Sequence, residues 1–339
     1  MSRLLPRSVA SLLLSLVATL CAAQTIPAQN PILPNADPFI TLHPVAGKYL
    51  LLATTGYNIT LWSGPTIPTA ASASKILFTP PSDPADPTGK PTLTELWSPT
   101  LWHIGPHWWI YFTARTATQP HAIYALESDT ADPQGSYTFR GELPLAHPAI
   151  DPSLLTLHGV NYLMYVSLDG GENAIRIVRL ASPTQPTGPA PLIAEPQYPW
   201  EKGAGTSKTY PVNEGPTALY HAGRTFLVYS ASDTASPAYC LGLLTLTGED
   251  PLDRRSWTKT PHPVFEASPA NGIYGPGRGT FARSSDGPRK EQDWLLYAAK
   301  PTDDPTPAHR ATRAQPFTWN PDGSPNFGVP QKDGPIFPK

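Results

Sequence analysis

One pattern recurs five times along this chain and limits what it can fold into. Each copy is a run of aromatic and aliphatic residues entered from a turn, at residues 47–53, 106–112, 159–165, 223–229 and 292–298. Trp108-Trp109-Ile110-Tyr111-Phe112 shows the type. Such runs are too short for helices and are rich in residues that favour strands. Before each lies a first strand that starts near Asp37, Ser98, Asp151, Glu214 and Arg278, at spacings of 61, 53, 63 and 64 residues. After each comes a candidate third strand, at 59–62, 122–127, 174–180, 239–246 and 311–317. A unit of this length with three or four short strands is the size of a propeller blade. The expected fold is therefore all-β, a five-bladed β-propeller. An irregular β-sandwich is the competing arrangement.

The 44 prolines support an all-β chain, because residues spread this evenly interrupt helices and mark strand entrances and turns. The proline-rich stretches at 80–91, 183–191 and 300–309 read as loops between strands. None has the length or bias of an interdomain linker. At the amino end, Arg3 and Arg7 precede an apolar stretch over 9–20, and Cys21-Ala22-Ala23 offers small residues for cleavage. This reads as a signal peptide over 1–23, too short to span a bilayer comfortably. A single domain over 24–339 should follow, in a secreted or periplasmic protein.

Without Arg3 and Arg7 there are 22 basic residues against 26 acidic ones, a formal charge of −4. A mildly acidic chain with no basic run has no footprint for nucleic acid. No later segment suits a membrane, so a neutral partner is expected. Only Cys240 remains once Cys21 is removed, so packing rather than disulfides must hold the fold. Cys240 lies in an apolar run and reads as a buried small hydrophobe.

In a propeller, the first strands line the central channel and their equivalent ends meet at one mouth. The acids of Asn35-Ala36-Asp37-Pro38, Ile150-Asp151-Pro152-Ser153 and Asn213-Glu214-Gly215-Pro216 all fall at first-strand starts. The repeat therefore brings Asp37, Asp151 and Glu214 into one pocket at the channel mouth. Taken singly, an Asp-Pro pair also simply marks a turn. Together, three carboxylates suit glycosidic cleavage, in which one carboxyl protonates the leaving oxygen and another activates water or attacks. The third can raise the pKa of the acid.

These three motifs, in this order, resemble the active-site motifs of glycoside hydrolase family 43. Further similarities are Tyr274-Gly275-Pro276-Gly277 and Thr318-Trp319-Asn320-Pro321-Asp322-Gly323. The resemblance covers roughly residues 30–330, and its details are similar to secreted arabinofuranosidases. It implies a five-bladed propeller that hydrolyses with inversion at the anomeric carbon. Asp37 would be the general base, Glu214 the general acid, and Asp151 the residue that raises and orients Glu214. Inversion would place base and acid roughly 6.5–9.5 Å apart.

Phe39, Trp62 and Trp97 are candidates to line the sugar subsite, with ordinary blade core as the alternative for each. Arg313 resembles an arginine that the family places near substrate hydroxyls, and a structural salt bridge is its alternative. The chain departs from the family pattern at Gly277-Arg278-Gly279, where many members carry a histidine associated with calcium. Arg278 would bring a fixed positive charge to that place, so no metal and no other cofactor is expected. Tyr297-Ala298-Ala299 and Ser98-Pro99-Thr100 are further departures. The nine histidines show no paired metal-ligand motif.

The expected function is an exo-acting α-L-arabinofuranosidase on plant cell-wall polysaccharide, working as a monomer. A β-xylosidase, an endo-arabinanase and a non-catalytic carbohydrate-binding propeller are the alternatives.

Overall fold

A computed structural model describes residues 28–145, 148–167, 171–203, 211–285 and 289–337. The expected signal peptide lies outside the described residues. Five blades follow one another along the chain, each with four antiparallel strands taken in sequence order. Blade 1 contains Phe39–Ile40, Tyr49–Leu52, Ile59–Gly64 and Ala73–Phe78. Blade 2 contains Thr94–Ile104, His107–Arg115, Ala122–Ser128 and Tyr137–Glu142. Blade 3 has Ala149–Leu157, Val160–Ser167, Ala174–Ser182 and Gln185–Thr187, and Leu192–Ala194 also pairs with its third strand. Blade 4 has Asn213–His221, Arg224–Ala231, Cys240–Leu246 and Trp257–Lys259. Blade 5 has Tyr274–Arg283, Asp293–Lys300, Ala311–Trp319 and Pro325–Asn326. The stretch at 183–191, expected to be a loop, thus holds part of blade 3's outer edge.

Why the second strands read as unbroken apolar runs follows from the side-chain period of two. Leu50 and Leu52 pack between blades 1 and 2, whereas Tyr49 and Leu51 pack between blades 1 and 5. Likewise Phe226 and Val228 face blade 5, and Leu227 and Tyr229 face blade 3. Each blade is covered on both faces, so neither face needs polar residues. Five apolar clusters fill the five gaps between neighbours and form a ring of cores. Cys240 is a buried free thiol in the cluster between blades 3 and 4.

The ring must also close. Gln29 and Asn30 pair antiparallel with Pro335 and Gly334, and Leu33 exchanges backbone contacts with Thr312 of blade 5. The buried Asn30 side chain takes both polar groups of Ala314: Nδ2 donates to its carbonyl at 2.9 Å, and Oδ1 accepts from its N–H at 2.8 Å. Asn30→Ala would leave both groups buried and unmet. It should lower the stability measured by denaturant melting by about 1–3 kcal/mol.

Candidate active site

The first strands share a local device at their entrances. Asp37, Ser98, Asp151, Gly215 and Arg278 all adopt left-handed backbone angles, with φ between 48° and 57°. In blades 2 to 5 this residue follows the paired residue at which the register slips: Trp97, Ile150, Glu214 and Gly277. Such bulges re-aim side chains at the ends of strands. For the non-glycine residues the conformation costs about 1–3 kcal/mol each and needs external support. For Ser98, Asp151 and Arg278 that support comes from hydroxyls of the preceding blade. Ser98 N–H donates to Thr54 Oγ1 at 2.9 Å, Asp151 N–H to Thr113 Oγ1 at 3.0 Å, and Arg278 N–H to Ser230 Oγ at 2.7 Å.

The repeat position of Glu214 therefore needs correction. Glu214 pairs with Ser230 and stands one residue before the left-handed position, which Gly215 occupies. Asp37, Asp151 and Arg278 are equivalent residues, and Glu214 is not. Glycine suits the place of Gly215 for two reasons, of which the second is peculiar to it. Its φ is 57°, and a Cβ there would lie 2.9 Å from Arg278 Cδ. Another glycine, Gly277, leaves room for the ring of Tyr239, which would meet a Cβ at 2.0 Å.

A cavity of about 480 Å³ takes in all three acids, together with Trp97, Ser98, Asn173, Tyr239, Arg278 and Arg310. This is an ordinary size for a small-ligand pocket. Asp37 accepts from Arg310 Nη1 at 2.7 Å and from Thr54 Oγ1 at 2.8 Å, one bond to each carboxylate oxygen. Burial alone would push Asp37 up, but Arg310, Arg278 and Thr54 together hold its carboxyl below the usual range. Glu214 is treated oppositely. Burial and the neighbouring charge of Asp151 push it up to about 7, against the pull of hydrogen bonds from Tyr239 and Asn173. Those bonds are 2.8 Å each, from Tyr239 OH to Oε1 and from Asn173 Nδ2 to Oε2.

Asp151 is held by a backbone N–H and lies near a different arginine. Its Oδ2 accepts from the Gly215 N–H at 3.0 Å and lies 3.7 Å from Arg278 Nη1. It is thus tied to the backbone immediately after Glu214. Two substitutions should move Glu214 in opposite directions. Asp151→Asn removes the repelling charge, so the alkaline limb of the kcat/KM profile should fall by on the order of one pH unit. Tyr239→Phe removes a bond that favours the ionised carboxylate, so the same limb should rise. Parallel pH-rate profiles of the two variants check both signs.

Trp97 lines the cavity and is braced from behind. Its ring stacks on His121 at a centroid distance of 4.2 Å, and His121 Nε2 lies 2.8 Å from Glu95 Oε2. Phe39 does not reach this cavity. It packs edge-on against Trp102 at 5.2 Å and borders a separate space of about 190 Å³, further along the first strands. Trp62 sits in the third strand of blade 1, opposite Leu51, against the core shared with blade 5. Arg313 is buried in a bidentate pair with Asp333, at 2.8 and 3.1 Å. The cavity's second cation is Arg310, three residues earlier, just before the third strand begins at Ala311. Arg310, Tyr239 and Asn173 are the residues that sequence reasoning missed. Among the described residues, no group of three or more His, Cys, Asp or Glu is arranged to hold a metal ion.

A carboxyl held low and a second pushed up to about 7, facing a shared cavity, are the equipment of an acid–base hydrolase of the glycosidase type. The chain belongs to the glycosyl hydrolases family 43, whose model matches residues 28–325. It is 37% identical over 257 residues to an extracellular exo-α-(1→5)-L-arabinofuranosidase of Streptomyces avermitilis, covering 71% of this chain and 51% of that protein. The chain thus spans about half the length of that relative. A protein of the same name from Streptomyces chartreusis is 32% identical, with 82% of this chain and 84% of that one covered. The crystal structure of an α-L-arabinofuranosidase from Lactobacillus brevis superposes with a TM-score of 0.80 at 31% identity, over 90% of this chain and 97% of that one. That match carries the five-bladed fold as well.

Proposed function

We propose that this chain is an exo-acting α-L-arabinofuranosidase that removes arabinose from arabinan or arabinoxylan-type polysaccharide. Asp37 takes a proton from the attacking water, and Glu214 gives one to the departing glycosidic oxygen. Asp151 keeps Glu214 protonated through its charge and fixes the backbone beside it. Water attacks the face opposite the leaving group, so the product is inverted. The observation that carries this reading is the contrast within one cavity: Asp37 held low by Arg310, and Glu214 pushed up to about 7. Base and acid are then each in the working form at mildly acidic to neutral pH.

The choice of sugar and linkage rests on the names of the relatives, which also include the word extracellular. Export of this chain and action as a monomer belong to the same proposal. Trp97, presented to the cavity by its stack on His121, offers an apolar face to a sugar ring. Arg278 contributes positive charge beside Asp151 and Asp37.

Assays with aryl α-L-arabinofuranoside, aryl β-D-xyloside and linear arabinan test the reading. Cleavage of the arabinofuranoside and release of arabinose alone from arabinan are expected. Cleavage of the xyloside in preference would make the protein a β-xylosidase, and oligosaccharide products an endo-arabinanase. Binding of arabinan without turnover would make it a carbohydrate-binding propeller.

A further inference from the structure

Lys300 ends the second strand of blade 5 and has no exposed surface. Removing an ammonium group from water costs several kcal/mol unless its donors are met. All three are met here, and every partner is a backbone carbonyl: Ala235 at 3.1 Å, Asp304 at 2.5 Å and Thr306 at 3.1 Å. Ala235 belongs to the loop between the second and third strands of blade 4. Asp304 and Thr306 belong to the corresponding loop of blade 5. Both loops wall the cavity, the first with Asp233, Thr234 and Tyr239, the second with Pro307 and Arg310. Their far ends reach different carboxylates, since Tyr239 donates to Glu214 and Arg310 to Asp37.

We propose that Lys300 is a positioning residue, a buried ammonium clip that locks these two loops together and thereby sets Tyr239 on Glu214 and Arg310 on Asp37. The packing around it agrees. Gly275 N–H donates to Pro237 O at 2.9 Å, drawing the first strand of blade 5 against the blade 4 loop. A Cβ on Gly275 would come within 2.9 Å of Ser236 O and 3.6 Å of Lys300 Cε. The charged groups acting on Lys300 are Arg310, which opposes its protonation, and Asp304, Asp233 and Asp303, which favour it. The three hydrogen bonds go to backbone carbonyls, so the clip holds backbone and leaves Asp37, Asp151 and Glu214 to their own partners.

The role assigned to the two carboxylates rests on the proposed function, and the test separates the two claims. Amide hydrogen exchange is measured on wild type and Lys300→Met, with kcat/KM–pH profiles on aryl arabinofuranoside. Exchange in residues 233–239 and 302–310 should accelerate at least about tenfold in the variant, with the blade strands unchanged. Both limbs of the pH profile should move up, because Arg310 lowers Asp37 and both Arg310 and Tyr239 lower Glu214. Unchanged loop exchange overturns the clip, whatever the substrate proves to be. A fall in kcat with both limbs in place reduces Lys300 to a structural lysine and overturns the positioning role. Should Lys300→Met not fold, wild-type exchange decides: the two loops must open at one common rate, and distinct rates overturn the proposal. The exchange measurements need no substrate, so they stand even if the protein proves inactive on arabinosides.

Discussion

Asp37→Asn should lower kcat by about 10²–10⁴-fold on every arabinoside tested, whatever the leaving group. The reason is that the base works on water, and water is the same in each reaction. Arg310 and Thr54 now hold one carboxylate oxygen each, at 2.7 and 2.8 Å; the substituted amide keeps an oxygen that can accept from Arg310, and its NH2 can donate to the Thr54 hydroxyl. It cannot take a proton. The loss should therefore come with little change in KM, and the acidic limb of the pH profile should vanish with the carboxylate. Some stability should go as well, because the Arg310 side chain is only 12% exposed and its charge would face a neutral group. A melting curve on the same preparation separates that loss from the loss of chemistry. Retention of substantial activity would remove Asp37 from the role of base.

Glu214→Gln should be selective where Asp37→Asn is uniform. A general acid matters in proportion to how poorly the leaving group departs unaided. Loss of about 10²–10⁴-fold is expected on arabinobiose or a simple alkyl arabinofuranoside, and far less on a dinitrophenyl arabinofuranoside. The alkaline limb near 7 should disappear, since no proton then has to be retained at that position. Equal loss on both substrates would mean that Glu214 does not protonate the leaving oxygen. Asn173 and Tyr239 can still bond an amide at this position, so the side chain should stay where it is.

The repeat was legible because a blade is covered on both faces. Runs such as Tyr49-Leu50-Leu51-Leu52 alternate between two interblade cores, so the apolar signal is doubled instead of halved. The residues that set the site were harder to read, for reasons that are geometrical. Asp37 and Asp151 share the left-handed position at their strand entrances, but Glu214 is one residue early, and only strand register and backbone angle reveal that. Gly215-Pro216 was the available clue, since glycine is the residue that tolerates left-handed backbone most cheaply. Arg310 and Arg313 flank Ala311-Thr312 with nothing in composition to separate them. The strand begins between them, which leaves Arg310 at the cavity and carries Arg313 into a buried pair with Asp333. Phe39 and Trp62 show the same ambiguity among aromatics: a residue type suited to sugar is equally suited to the gap between blades. Trp97 differs because it occupies the paired position at the bulge, where the first strand meets the cavity.

The central claim is that one cavity holds Asp37 ionised and Glu214 protonated at the same pH. Carboxyl-selective ¹³C NMR of glutamate-labelled protein tests it most directly, with Glu214→Gln used to assign the resonance. The account predicts one buried glutamate carboxyl titrating near 7, absent from the Glu214→Gln spectrum and displaced to lower pH in Asp151→Asn. A Glu214 resonance that titrates near the ordinary glutamate value of 4.5 and ignores Asp151→Asn would contradict it.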